Sequence, residues 1–292
     1  MKILILGGDG MIGHKIAQAL DAQNQEVIIS IRKKRNTTLK DFPEGINIIF
    51  NDFLKVNILD LLDKVNPDVI INSIGITMRR GVAENISDTI YLNSFFPHQL
   101  SNWALAFKKR LIHFSTDCIF SGSEGSYLED STPDALDYYG KTKGLGEINS
   151  KSSLTIRSSM IGPELFTKTE LFEWIINNKE KEINGFSTVM YSGVTTVYMA
   201  RLLADLIDNH KNLSGIYNVA SKPISKFQLL HLINDNFDLG LIINFDKTVI
   251  SNKTLNASKI EKEIGLQTPS WDELISNLKK DYMNFIDLYK TI

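Results

Sequence analysis

Tyr139 and Lys143 stand four residues apart in Tyr139-Gly140-Lys141-Thr142-Lys143. On a helix that spacing puts both on one face. An ammonium there would stabilise tyrosinate and lower the phenol from its usual value of about 10. A phenol tuned in this way exchanges a proton with an alcohol oxygen near neutral pH. A surface Tyr-Lys pair accounts for the same residues without chemistry. Upstream, Phe114-Ser115-Thr116-Asp117 ends an apolar run and would bring a hydroxyl to the same oxygen. A Ser/Thr turn closing a strand is the other reading.

A second group of residues binds rather than reacts. Gly7, Gly10 and Gly13, with Gly8 in addition, follow the run Ile3-Leu4-Ile5-Leu6. They precede a helical pattern at Ile12, Ile16, Ala17 and Leu20. Glycines between a strand and a helix allow the tight turn and the approach of a pyrophosphate, whose charge suits the free N–H groups of the helix start. Met11 and Ile12 belong to that start. The next strand ends in Ser30-Ile31-Arg32-Lys33-Lys34-Arg35, with no acid to bind ribose hydroxyls. A guanidinium there pairs with a 2′-phosphate. Arg32, with Lys33, therefore selects NADPH, with NADH as the alternative. Asp52-Phe53 would meet the adenine amino group, or Asp52 caps a helix beginning near Lys55. Asn72-Ser73-Ile74-Gly75 closes the fourth strand at the sheet edge where dinucleotides bind.

Behind these motifs, short apolar runs alternate with helical spacing. Strands are expected at 3–6, 27–29, 46–50, 69–71, 111–114 and 154–156, with helices between them and a long one at 84–107. This alternation predicts an α/β fold, a doubly wound parallel sheet of Rossmann type. Further helices are expected at 134–150, 169–179, 195–209, 225–236 and 271–287, with short strands at 216–219 and 241–243. Residues 1–160 are read as the NADP-binding domain with the catalytic residues. Residues 161–292 are read as a smaller, partly interleaved substrate-binding part, with about 195–222 returning to the first.

The chain has 292 residues, 32 Lys plus Arg against 34 Asp plus Glu, and a formal net charge of −2. That balance argues against nucleic acid as a partner. One cysteine, Cys118, forms no disulfide within the chain and has no histidine beside it to act as a nucleophile. The five histidines have no ligand spacing, so no metal is assigned. No run reaches a secretory core or the ~18 apolar residues of a membrane span, so a cytoplasmic protein off the membrane is expected.

Taken together, GGDGMIG at 7–13, STDCIFSG at 115–122, YLED at 127–130 and YGKTKGLGE at 139–147 resemble the extended short-chain dehydrogenase/reductases. Within them the chain is similar to the dTDP-4-dehydrorhamnose reductases and related nucleotide-sugar 4-ketoreductases. Ile156-Arg157-Ser158-Ser159 and Ser221-Lys222-Pro223-Ile224-Ser225-Lys226 extend the likeness. The resemblance implies Thr116, Tyr139 and Lys143 as the catalytic set, with Lys143 also holding the nicotinamide ribose. It implies Asn93 as a support from the long helix, and a homodimer through such helices. The reaction implied is hydride transfer from NADPH to C4 of a nucleotide-linked 4-keto-6-deoxy sugar, on the way to a surface polysaccharide. Cys118 stands where the family's dehydratases carry glutamate, which disfavours elimination. Residues 251–256 depart from the rhamnose pattern, which leaves the sugar open.

Substrate contacts are expected from Thr77, Arg79, Asn93, Ser115, Arg157 and Ser159, with Arg80 beside them. A solvated loop accounts equally for Thr77 and the two arginines. Tyr191 is a stacking candidate, whereas Trp174 reads as core. Two other functions fit the same motifs: a nucleotide-sugar 4-epimerase with retained NAD, and a non-catalytic NADP-binding regulatory subunit.

Overall fold

The apolar runs of the N-terminal half become parallel strands, buried on both faces except for the edge strand at 47–50, which is partly exposed. The structure, a computed structural model, describes residues 1–23, 25–33, 42–77 and 85–290. In order it runs β1 (Lys2–Leu6), α1 (Gly13–Asp21), β2 (Glu26–Ile31), β3 (Asn47–Phe50), α2 (Ile58–Val65), β4 (Val69–Asn72), α3 (Ile86–Ile90), a π-helical turn (Tyr91–Phe95), α4 (Phe96–Ala106), β5 (Arg110–Ser115), α5 (Tyr138–Leu145) and β6 (Ser153–Arg157). The C-terminal half continues with β7 (Met160–Ile161), α6 (Leu171–Ile176), β8 (Glu182–Phe186), β9 (Val189–Tyr191), β10 (Val194–Thr195), α7 (Thr196–Asp208), β11 (Gly215–Asn218), β12 (Ile224–Ser225), α8 (Lys226–Phe237), β13 (Ile242–Asp246), β14 (Ser251–Asn252), α9 (Ser258–Ile264), α10 (Trp271–Asn284) and α11 (Ile286–Lys290).

Seven strands form one parallel sheet in the order β11-β6-β5-β4-β1-β2-β3. Alternate side chains of a strand serve opposite faces. Ile3 and Ile5 enter the core beneath α1 and α7, while Leu4 and Leu6 enter the core beneath α2 and α4. The order reverses between β1 and β4, and a ligand crevice opens at such a reversal. A second core gathers Phe172, Ile175, Leu229, Ile233, Leu274 and Leu278 from α6, α8 and α10. Residues 194–218 link that core to the large sheet: Val197 lies in the second core, α7 packs on both α1 and α10, and β11 pairs with β6. Among the described residues no helix is long and apolar enough to cross a membrane.

Several boundaries differ from expectation. The helix expected at 134–150 covers only Tyr138–Leu145. Asp137 caps it through the Gly140 amide at 2.8 Å, while Asp134 turns back to accept from the Ser121 amide at 2.7 Å. The helix expected at 84–107 runs from Ile86 to Ala106, interrupted by the π-helical turn. The last long helix ends at Asn284. The short strands β7, β8, β9, β10, β12 and β14 and helix α9 escaped the pattern, because most are too brief to show a period.

The π-helical turn and α5 meet backbone to backbone. A Cβ on Gly146 would lie 1.9 Å from Asn93 O, whereas one on Gly144 meets nothing nearer than 3.7 Å. Gly146→Ala is therefore expected to cost about 1–3 kcal/mol by overpacking and to lower Tm. Gly144→Ala, relieved of a helical glycine, should raise Tm. Thermal unfolding of the two variants side by side checks the opposite signs.

Candidate active site

The glycine loop is built by close approach. Gly7 has φ +81°, and the Gly7 and Gly8 amides both donate to Ser30 O, at 3.0 and 3.1 Å. A Cβ on Gly13 would sit 2.1 Å from Gly7 O, so only glycine lets α1 start against the strand end. Gly8 is not merely an extra glycine, since its Cβ would lie 2.6 Å from Ile29 Cβ. Ile12, at the helix cap, is buried and offers no side-chain acceptor; the His14 amide is taken by Gly10 O at 3.2 Å, and no side chain caps the rest of the first turn.

Two adjoining cavities open along this loop, with Gly10, Ser73, Ile74 and Gly75 common to both. The first encloses about 370 Å³ and is lined by Gly7, Arg32, Lys33, Asp52 and Phe53, among others. Arg32 and Lys33 are exposed at the end of β2. Asp52 does not cap a helix near Lys55. It accepts from the Leu54 amide at 3.3 Å within its own turn, and α2 begins later, at Ile58, with Asn57 as its cap. Phe53 is buried against Phe96, ring centroids 5.3 Å apart, and forms wall rather than a free stacking face. Ser73 Oγ lies 2.7 Å from Leu6 O and 3.1 Å from Gly7 O, tying the end of β4 to the glycine loop.

The second cavity, about 340 Å³, holds Met11, Ile12, Thr77, Ser115, Thr116, Cys118, Tyr139, Lys143, Ser159 and Glu170. Thr116, Tyr139 and Lys143 are thus brought together. The Thr116 hydroxyl, in the same cavity as the Tyr139 phenol, accepts from the Cys118 amide at 3.1 Å and donates to Asp117 Oδ1 at 3.1 Å. Lys143 is buried and donates to Phe114 O at 2.5 Å. The phenol is not lowered as the spacing suggested. Desolvation pushes Tyr139 well up, the Cys118 and Asp117 side chains add to it, and the Thr116 hydroxyl only opposes them. Burial likewise lowers Lys143 to about 8, against the upward pull of Glu147. Away from water, charge is penalised on both groups. The Cys118 thiol is pushed up to about 12, chiefly by burial, and stays an unreactive packing group.

Several expected substrate contacts are committed elsewhere. Ser115 Oγ donates to Glu147 Oε1 at 2.6 Å. Arg157 grips the same carboxylate in a fork, with Nε and Nη2 at 2.8 Å from its two oxygens, and Nη1 donates to Glu129 O at 3.0 Å. Arg157 is 2% exposed, so its role is structural. Asn93, fully buried, accepts from the Ile76 amide at 2.8 Å and donates to Ile76 O and Thr142 Oγ1 at 3.0 and 3.2 Å. It supports the site but does not reach into it. Thr77 and Ser159 do line the cavity, and Thr77 Oγ1 lies 3.3 Å from Glu170 Oε1. Arg79, Arg80, Lys34 and Arg35 lie outside the described residues. Tyr191 is buried against Trp271 and offers no stacking face, while Trp174, expected in the core, is 40% exposed.

Glu170 and Glu147 escaped the motif reading. Glu147 ends the YGKTKGLGE segment, where its spacing from Arg157 carries no pattern. Glu170 reaches the cavity only because the buried Glu164 carboxylate accepts from the Thr169 and Glu170 amides, at 2.6 and 2.8 Å, and folds the intervening loop inward.

A family model described as RmlD substrate binding domain matches residues 1–284. A dTDP-4-dehydrorhamnose reductase of Aggregatibacter actinomycetemcomitans is 24% identical, over 95% of this chain and 98% of that protein. The methionine adenosyltransferase 2 subunit beta of Rattus norvegicus is 25% identical, over 92% of this chain and 84% of that protein. The crystal structure of a dTDP-4-dehydrorhamnose reductase from Bacillus anthracis in complex with NADP superposes with a TM-score of 0.75 at 18% identity, over 96% of this chain and 99% of that one.

Arg157→Met strands the Glu147 carboxylate in the interior. It is expected to cost about 3–5 kcal/mol in urea unfolding, a loss that a substrate-contacting arginine would not produce.

Proposed function

Because the chain belongs to the RmlD substrate binding domain family, we propose that it is an NADPH-dependent reductase of a nucleotide-linked 4-keto-6-deoxy sugar. The observation that carries this reading is the meeting of Thr116, Tyr139 and Lys143 in a cavity continuous with the glycine loop and the Arg32–Lys33 corner. A dinucleotide fits the residues present. The cradle at Gly7 and Gly13 excludes any Cβ, no side chain caps the start of α1, and two cations stand where a 2′-phosphate would lie. Bound there, NADPH supplies a hydride for the sugar C4.

Tyr139 donates its proton to the oxygen that becomes the 4-hydroxyl. Its raised pKa keeps the phenol protonated at neutral pH, which is the form a reduction consumes. The Thr116 hydroxyl, which lines the same cavity, orients that proton. Below about pH 8 Lys143 is an ammonium and stabilises the tyrosinate left behind. It would also hold the nicotinamide ribose. The enzyme and its nucleotide-sugar substrate are placed in the cytoplasm, where the product feeds surface polysaccharide.

The absence of an acid at the end of β2 weighs against an epimerase with retained NAD. The relative named as a subunit of methionine adenosyltransferase keeps a regulatory role in view, and activity decides between them.

Purified protein should oxidise NADPH with at least one 4-keto sugar from a panel linked to TDP, UDP and GDP. Tyr139→Phe should lower kcat by at least about 100-fold. No turnover across the panel, with a copurifying enzyme partner, would instead favour the regulatory reading.

The pH profile has a definite sign. Tyr139 stays protonated throughout, and Lys143 loses its charge as pH rises through about 8. kcat/KM should therefore be level below that pH and fall above it. A profile that instead rises through pH 8 would sink the assignment of Lys143.

A further inference from the structure

The last helix of the chain reaches back to the first. Tyr289 on α11 is 4% exposed, and its hydroxyl lies 3.1 Å from His14 Nε2. His14 is fully buried one residue beyond the glycine loop, and its Nδ1 lies 2.8 Å from Gly10 O. The Gly10 carbonyl can only accept, so Nδ1 carries the hydrogen of the neutral ring. Nε2 then has only a lone pair, and Tyr289 must donate to it. The direction of the chain is thereby set: Tyr289 O–H to His14 Nε2, and His14 Nδ1–H to Gly10 O. The Tyr289 oxygen in turn accepts from Lys15 Nζ at 3.3 Å, and Lys15 is paired with Asp281 at 2.5 Å. Lys168, in the loop that walls the first cavity with Phe166 and Thr167, donates to Tyr289 O at 3.1 Å.

The carbonyl at the end of this relay belongs to a peptide on the cavity wall. Gly10 O accepts twice from His14, through the ring and through the backbone amide at 3.2 Å. In a trans peptide the C=O and the following N–H point opposite ways. Fixing Gly10 O toward His14 therefore turns the Met11 N–H to the other side of the loop, and Gly10 and Met11 both line the second cavity. That N–H is one of the donors a pyrophosphate needs.

We propose that Tyr289 and His14 are positioning residues for the dinucleotide, the C-terminal helix holding the Gly10–Met11 peptide in the orientation that binds the pyrophosphate. The inference rests on the NADPH reading above. Neither residue touches the reacting atoms, so the effect falls on cofactor affinity rather than on the chemical step.

Tyr289→Phe removes one oxygen and keeps the ring stacked on Tyr282, centroids 5.2 Å apart. In the full-length protein it should raise the Kd for NADPH about 3- to 10-fold, the loss of one hydrogen bond. KM for NADPH should rise in step, with kcat at saturation and KM for the sugar nucleotide changed by less than about twofold. His14→Gln should act on the same parameter, and the double variant should weaken NADPH no more than the stronger single one. A fall in Tm with the NADPH Kd unchanged in both single variants overturns the proposal. Amide hydrogen exchange of the free protein provides a readout independent of cofactor identity. Tyr289→Phe should speed exchange of the His14 amide, which donates to Gly10 O, and leave β5 unaffected. If wild-type protein does not bind NADPH, the functional reading fails, and the exchange rates still decide whether the tail holds the loop: an unchanged His14 rate overturns that coupling.

Discussion

With its carboxamide, Asn93 joins three segments that are far apart in the chain. Its oxygen takes the Ile76 amide and its nitrogen serves Ile76 O and Thr142. The loop after β4 and the helix bearing Tyr139 and Lys143 are thereby held at one distance across the cavity. The π-helical turn makes this possible, since an inserted residue breaks the regular ladder and re-aims the side chains of Tyr91–Phe95. Ser94 adds a hydrogen bond to Thr142 O at 2.7 Å, and Gly146 lets the two backbones touch. A regular helix through 86–106 would not present the same side chain to both neighbours.

Around that clamp, desolvation of the two reactive groups sets their electrostatics. Tyr139 and Lys143 both shift toward their neutral forms, so neither group alone shows the chemistry implied by a tyrosine beside a lysine. The buried Arg157–Glu147 pair beneath them is tolerated because four hydrogen bonds hold the guanidinium. The fork on the carboxylate, two backbone carbonyls and the face of Phe120 at 5.4 Å account for the guanidinium. Removing one member leaves the other uncompensated, which is why such pairs are costly to break even when they contribute little to stability intact.

Much of this was legible before any coordinates. Short apolar runs alternating with helical spacing identify parallel strands, and the seven strands of the sheet were visible in that way, with β11 the least distinct. The glycine loop and the Tyr139–Lys143 pair were legible in local spacing and Thr116 only through the family resemblance, and the structure brings Thr116, Tyr139 and Lys143 to one cavity. What failed was long-range. Arg157 and Ser115 look like sheet-edge polar residues open to a ligand, and nothing local reveals that Glu147 already occupies them. Glu170 was hidden because its position depends on a buried carboxylate six residues earlier. The pKa directions were hidden too, since desolvation is a property of the assembled interior and not of a four-residue interval.

The return of α7 and β11 to the large sheet has a consequence for how the chain is made. Until β11 emerges, β6 is an open edge, and the apolar face of α1 formed by Ile16, Ala17 and Leu20 lacks the helix that covers it. About 60 residues separate the ends of β6 and β11, which at about 5–20 residues per second leaves the nascent sheet unfinished for on the order of several seconds. Unpaired edges of this kind recruit other strands. The newborn chain is thus most exposed to misassembly just when its N-terminal half already resembles a finished fold, and that interval is where a ribosome-associated chaperone would have most to protect.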